Sequence, residues 1–343
     1  MSHTQKALFF TSAHSYEISS RPIPKPSPGH ILVKVKSISL NPIDWKVQDL
    51  PGFDGLIKQY PVVLGQDAAG DVVGIGEGVL GYSKNDRVFF QCAGYLGDDH
   101  GAFQEYILVP AEIASKIPSN LSYDQAASIP LALTTATVSL FAPVPNGSGL
   151  NPTFDPHVRY SGQSAFVAGG GTSVGQFAIQ LLKTLDFKHI ITNSAAEHFD
   201  YLRSLGATDL IDRNEVSDKD LSKIIESIAG GKVDAAIDAA GTPTTQAAAL
   251  ACLKSGTHLG TVLPLKTEVP KGNTAGMIWG STWSDFNREF GKAQWAKLES
   301  LFGTEILKPC RIVELSGGLE GILAGLRDLK ADKYRGRKVV ISF

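Results

Sequence analysis

Cysteine is scarce in this 343-residue chain. Cys92, Cys252 and Cys310 are far apart and odd in number, which argues against a disulfide framework and makes a reducing compartment, most simply the cytosol, the expected setting. Charge of one sign is scarce as well: 32 Lys and Arg stand against 34 Asp and Glu, a formal net charge of −2, with no polybasic run. A nucleic acid or an anionic membrane therefore finds no electrostatic footprint here. No apolar run approaches the roughly 20 residues that a membrane span needs. The first ten residues carry neither an apolar signal core nor an Arg-rich amphipathic pattern. The closing Ile341-Ser342-Phe343 is not a targeting tag. What is present is 43% apolar against 19% charged residues, the balance of an ordinary globular core. The length suits about two domains of ~100–200 residues.

The first 125 residues read as β-rich. Ile31 to Ile38 alternates apolar and polar residues after Ile31, the period of a half-buried strand, and Pro22, Pro24, Pro26 and Pro28 exclude helix just before it. Further strands are expected at Val62–Leu64, Ala68–Ile75, Arg87–Phe90 and Phe103–Val109. Asp124–Ile129 and Leu133–Leu140 read as helical, and the Pro-, Gly- and Asn-rich stretch from Pro143 to Gly162 as an unusually long loop. From Ser164 strand and helix alternate. Strands are expected at Ala165–Ala168, His189–Thr192, Asp209–Ile211, Val233–Asp238 and His258–Leu263. Helices are expected at Val174–Leu185, Glu197–Leu205, Lys219–Ala229 and Thr245–Leu253. Repeated βα units predict a doubly wound parallel sheet, so the fold class is α/β with a second, β-rich domain. Ser284–Phe302 and Leu319–Lys330 read as late helices. Lys338–Phe343 reads as a strand that returns to the first domain.

The most informative segment runs from Ser164 to Gly175, where a short strand enters the turn Gly169-Gly170-Gly171 and then a helix. Glycines let backbone approach a ligand closely, and a helix N-terminus offers unpaired N–H groups and a positive dipole end to an anion. A pyrophosphate held by Gly170, Gly171, Thr172, Ser173, Val174 and Gly175 suits this place, although the spacing is not a strict G-x-G-x-x-G. Dinucleotide folds that prefer NAD place an acid at the end of the second strand. Here that strand ends Thr192-Asn193-Ser194, and the first acid, Glu197, comes later. Ser194 and Arg213 are candidate partners of a 2′-phosphate, which favours NADPH over NADH. Arg213 as a solvated surface charge is the competing reading.

Taken in order, these segments resemble the medium-chain dehydrogenase/reductase superfamily, within it the quinone-reductase-like branch and the fungal stand-alone enoyl reductases and zinc-type alcohol dehydrogenase-like proteins. The likeness is carried by Ser39-Leu40-Asn41-Pro42-Ile43-Asp44-Trp45-Lys46, Pro61 to Gly70, Ala127 to Pro130 with Thr134-Thr135-Ala136, the glycine loop, Leu205 to Asp209, Asp238-Ala239-Ala240-Gly241 and Gly336 to Val340. It implies a GroES-like catalytic domain built from residues 1–125 and 291–343 around a Rossmann domain at 126–290. It assigns Asp44, Thr135, Gly241, Val262 and Lys338 to the coenzyme. Zinc-dependent members carry Cys in the segment matching Ser39–Asp44, Gly-His-Glu where this chain has Gly65-Gln66-Asp67, and four cysteines near Phe89–Gly101, where only Cys92 stands. Neither a catalytic nor a structural zinc is expected.

Without zinc, hydrogen-bond donors must stabilise the charge that develops on a substrate oxygen during hydride transfer, and a proton must then arrive. By analogy with the family Asn41 orients coenzyme or substrate, Lys46 donates near the nicotinamide ribose, and Tyr60 is a candidate proton donor. A turn with structural polar support is the competing reading for Asn41, Asp44 and Lys46, and a rim tyrosine for Tyr60. His100, in Asp98-Asp99-His100, reads as a solvated loop residue. Trp279 and Trp283 either line an apolar pocket or pack in the core. The leading function is reduction of an activated C=C in a small electrophile (enal, enone, quinone or enoyl thioester). The rivals are an aldehyde reductase and an NADPH-binding protein with little catalysis. Relatives include dimers paired through the Rossmann sheet edge as well as monomers, so a homodimer is an open expectation.

Overall fold

The computed structural model describes residues 4–12, 15–49, 55, 57–217 and 219–343. The chain opens with β1 (Thr4–Phe10), β2 (Tyr16–Pro22), β3 (His30–Leu40), α1 (Pro42–Asp49), β4 (Val62–Val63), β5 (Asp67–Ile75), β6 (Arg87–Gln91), β7 (Tyr106–Pro110), β8 (Ala114–Lys116) and α2 (Tyr123–Ala127). It continues with α3 (Pro130–Phe141), β9 (Ser164–Ala168), α4 (Ser173–Thr184), β10 (His189–Ser194), α5 (Phe199–Leu205), β11 (Asp209–Asp212), α6 (Leu221–Ala229) and β12 (Ala235–Asp238). Then come α7 (Pro243–Cys252), β13 (His258–Thr261), β14 (Thr274–Met277), α8 (Asp285–Gly303), β15 (Ile312–Leu315), α9 (Gly318–Lys330) and β16 (Lys338–Ser342). Two compact units result: residues 1–131, 294–303 and 309–343, and residues 132–293 with 304–308. No helix among the described residues is long and apolar enough to cross a membrane.

The first unit is the GroES-like β-rich domain. Its larger sheet runs β15-β16-β3-β5-β6-β8, with β7 also pairing β3, and a smaller sheet runs β2-β1-β4. The last strand returns as its alternation predicts: β16 lies antiparallel to β3, with Val340 opposite Ser39. Strands β1, β2, β8 and β15 escape the sequence reading. In β2 only partly buried and exposed positions occur, and such a strand lacks the apolar alternation that pattern reading requires. Phe89 anchors the core, with its ring centroid 5.7 Å from that of Trp295 and 6.2 Å from that of Phe302.

The second unit is the Rossmann domain. Six strands, all parallel, run in the order β11-β10-β9-β12-β13-β14. The fully buried β9, Ser-Ala-Phe-Val-Ala, sits at the centre, as expected for strands covered on both faces. Phe166, Ile191, Ile225, Ala236 and Leu259 share one core cluster. The sequence direction reverses between β9 and β12, and in folds of this kind the crevice at that switch point, outside the carboxyl ends of the strands, receives the ligand. Strand β14 was missed because two of its four residues are exposed. The loop expected from Pro143 to Gly162 is ordered by its own bonds. Ser148, Gly149 and Leu150 donate backbone N–H bonds to Ser139, Ala142 and Leu140, and buried Phe154 packs against Phe141 and Phe290.

Candidate functional site

At the carboxyl end of β9 the glycine turn delivers the chain into α4. Thr172 is its N-cap, and the side-chain oxygen accepts from Gly175 N at 3.0 Å. Gly169 N donates to Asn193 Oδ1 at 2.9 Å, Gly170 N to Asn193 O at 3.2 Å and Thr172 N to Gly169 O at 3.0 Å. The backbone N–H groups of Gly171, Ser173 and Val174 have no partner among the described residues. Three unpaired amides at one helix start form an anion cradle. Gly175 has a different role from the one its place in the motif gave it. Its amide is taken by the cap, and a Cβ there would lie 2.4 Å from Gly169 O, so glycine is required to fold the turn onto the helix. Gly171 faces outward differently: its Cβ would lie 2.8 Å from Ser194 Oγ and 3.1 Å from His198 Cδ2.

The other predicted coenzyme residues of this unit gather along the same sheet edge. Ser194 ends β10 opposite Asp212 of β11, and Arg213 N donates to Ser194 O at 3.0 Å. Arg213 is exposed and its guanidinium makes no ion pair among the described residues. Gly241 follows β12, and its N–H is held by the buried Asp238 carboxylate at 3.0 and 3.1 Å. Burial pushes the Asp238 carboxyl up, against the lowering effect of these donors. Val262 follows β13 and donates its N–H to Asp238 O at 3.0 Å. Thr135 is half-buried on α3, with Oγ1 2.3 Å from the place a Cβ on Gly280 would occupy. His198 escaped the sequence reading. Nothing in its local pattern marks it, and only the fold brings its ring to the glycine turn.

In the first unit Asn41, Asp44 and Lys338 meet one another rather than an open surface. The carboxylate of Asp67, fully buried, accepts from Ser39 Oγ at 2.9 Å, Asn41 Nδ2 at 2.9 Å and the Leu131 N–H at 2.7 Å. Lys338 Nζ forms an ion pair with it at 3.0 Å and also donates to Asn41 Oδ1. Asn41 Nδ2 further reaches Ser39 O at 3.4 Å, and Asn41 N donates to Asp44 Oδ2 at 2.8 Å. In this structure Asn41, Asp44 and Lys338 are 2–4% exposed and satisfy one another, as desolvated polar groups must. Burial pushes the Asp44 carboxyl up to about 8, reinforced by the neighbouring Asp67 charge and opposed by the Asn41 N–H and Lys338.

Lys46 is half-buried, its ammonium 5.7 Å from the Trp45 ring centroid, with Lys330 at 5.8 Å from the same centroid. Burial lowers the Lys46 pKa. Tyr60 packs edge-on against Phe10 at 5.8 Å and lines an open pocket of about 330 Å³ with Phe9, Thr11, Glu17, Ser19 and Pro61. None of the Asn41 network lines that pocket. His100 is half-buried rather than solvated. Its Nδ1 meets Leu108 O at 2.7 Å, and burial lowers its pKa. Trp283 is buried, while Trp279 lines a pocket of about 230 Å³ with Val138, Pro145, Met277 and Phe286.

The donor set at the segments matching zinc ligands does not fit a divalent ion. Asn41 and Asp67 there already surround the Lys338 ammonium. Cys92 is buried, and its thiol is held well above its usual pKa by burial and by the Asp67 and Asp44 charges, which disfavours the thiolate that binds metal. Among the described residues no three His, Cys, Asp or Glu side chains are grouped to hold a metal. In the lobe around residues 94–101, Arg21 pairs with Asp99 at 2.5 Å and donates to Gln104 Oε1 at 2.6 Å. The glycine turn, by contrast, fits a dinucleotide: three backbone amides without a partner among the described residues stand at one helix start.

Comparison with known proteins agrees with these two units. The alcohol dehydrogenase GroES-like domain family matches residues 27–119, and the zinc-binding dehydrogenase family matches residues 173–271. The dehydrogenase azaJ of Aspergillus niger is 32% identical over 339 residues, covering 96% of this chain and 95% of its own. The trans-enoyl reductase tndF of Aspergillus flavipes is 38% identical over 212 residues, 61% of this chain and 59% of its own. A mycobacterial protein solved in complex with NADPH superposes with a TM-score of 0.74 at 24% identity, covering 99% of this chain and all of its own. The chain belongs to the medium-chain dehydrogenase/reductase superfamily. It is an oxidoreductase of that superfamily.

Proposed function

We propose that this chain is an NADPH-preferring, zinc-independent reductase that delivers hydride to the activated C=C bond of a small electrophile: an enal, enone, quinone or enoyl thioester. The observation that carries the coenzyme reading is the cradle of unpaired Gly171, Ser173 and Val174 amides with Ser194, and not an acid, at the end of the second strand and exposed Arg213 beside it. Bound there, the reduced nicotinamide supplies the hydride. The three amides hold the diphosphate, and Ser194 and Arg213 take the 2′-phosphate. The likeness to a trans-enoyl reductase supports the C=C reading. The filling of the ligand-like positions by Lys338 supports zinc independence. Lys46, whose pKa burial lowers, is the candidate donor, and Tyr60 is the candidate acid to test. Three buried cysteines outside any disulfide support a cytoplasmic setting.

The test is steady-state oxidation of NADPH and NADH against an enal, a quinone, an enoyl thioester and a saturated aldehyde, with metal analysis of the same sample. NADPH consumption with the conjugated acceptors and no stoichiometric zinc is expected. Turnover of the saturated aldehyde alone would return the chain to the aldehyde reductases. Coenzyme binding with no consumption would make it a binding protein. Stoichiometric zinc would overturn the metal-free mechanism.

A further inference from the structure

We infer that His198 is a coenzyme-specificity residue, its imidazole forming with Ser194 and Arg213 a clamp on the coenzyme's 2′-phosphate. The inference rests on the NADPH reading and adds a residue to it. Three observations converge. First, Ser194 Oγ and His198 Cδ2 lie 2.8 and 3.1 Å from one point, the place a Cβ on Gly171 would occupy, so hydroxyl and imidazole stand together against the glycine of the turn. Second, the imidazole is fixed. Its side chain is only 12% exposed, and His198 N donates to Ala195 O at 3.0 Å, which locks the short helical turn that presents it. Third, Arg213 begins where β11 ends, one backbone hydrogen bond from Ser194, and carries a solvent-facing charge with no acid on it among the described residues.

Glu197 Oε1 lies 3.5 Å from His198 Nε2, on a side chain that is 66% exposed. A contact that long and that exposed yields readily to a phosphate, whose doubly charged oxygens accept a stronger, charge-assisted bond. Glu197 also defines the rival arrangement, a carboxylate that accepts from a ribose 2′-OH and so favours NADH. The clamp therefore gives His198 to NADPH and Glu197 to NADH, from adjacent positions in the chain.

The experiment measures NADPH and NADH dissociation constants by fluorescence titration for the wild type, His198→Ala, His198→Gln and Glu197→Gln, with 2′,5′-ADP as a competitor. His198→Ala is expected to weaken NADPH and 2′,5′-ADP about tenfold, the scale of one hydrogen bond to a charged group, while NADH changes less than twofold. His198→Gln, which keeps a donor, should recover part of the loss, and it also serves should the alanine variant fold poorly. Glu197→Gln should leave NADPH unchanged or tighten it. A loss shared equally by NADPH and NADH overturns the clamp, because His198 then only shapes the turn. A wild type that binds NADH as well as NADPH overturns the coenzyme reading itself, an outcome separate from any His198 effect.

Discussion

Lys338→Met puts the buried network of the first unit to a quantitative test. Asp67 is fully buried and Lys338 is 4% exposed, and their ion pair at 3.0 Å is the direct compensation for the carboxylate's charge. Methionine fills much of the same volume but leaves Asp67 with hydrogen bonds from Ser39, Asn41 and the Leu131 N–H and no counter-ion. Removing one partner of a buried pair costs about 3–5 kcal/mol, since the remaining charge stays desolvated. For a unit of this size that corresponds to a fall in Tm on the order of 10 °C. Urea unfolding followed by tryptophan fluorescence reads the loss directly, because Trp45 and Trp295 both lie in this unit. Adding Asp67→Asn to Lys338→Met removes the orphaned charge, and the double variant should recover more than about 1 kcal/mol of what the single one loses. A single variant within about 1 kcal/mol of the wild type would refute the reasoning, for the pair would then be solvated and the network no device for holding Asn41.

Asp44→Asn should remove a pH slope. With the folded carboxyl at about 8 against an ordinary 3.8, the unfolded chain releases a proton over that interval that the folded chain retains, so stability falls as pH rises and levels off above it. The asparagine still accepts from Asn41 N, so the variant should gain on the wild type by about 1 kcal/mol or more at pH 8 and not at pH 4; parallel stability curves would contradict the burial argument. Gly171→Ala places a Cβ within 2.8 Å of Ser194 Oγ and 3.1 Å of His198 Cδ2, where both must shift beside the cradle, so coenzyme affinity should fall more than tenfold with little change in Tm. Unchanged affinity would place the diphosphate elsewhere. Strand β14 leaves one hydrogen-bonding edge open, with Met277 and Phe286 exposed beside it and Val144 exposed at the neighbouring loop. A second copy paired along that edge predicts a dimer by light scattering that Met277→Lys with Phe286→Glu dissociates; a monomer at micromolar concentration would remove the proposal.

The sequence by itself determined the elements whose signal is local. The glycine turn, the βα alternation from Ser164 and the apolar core strands were legible because period and turn chemistry depend on near neighbours, and Gly171 and Ser194 were read from them; Gly241 and Val262 came from the family resemblance. Exposed strands such as β2 and β14 were not, since their residues carry no burial pattern. Nor was the fate of Asn41, Asp44 and Lys338 legible: each reads as a polar group available to a ligand. Only the antiparallel return of β16 onto β3 brings a lysine 297 positions away onto Asn41. Whether a polar side chain faces a ligand or another buried charge is set by which distant strand closes over it, and no local window contains that partner. His198 shows the converse, an unremarked residue that the packing of two βα turns sets beside the glycine loop.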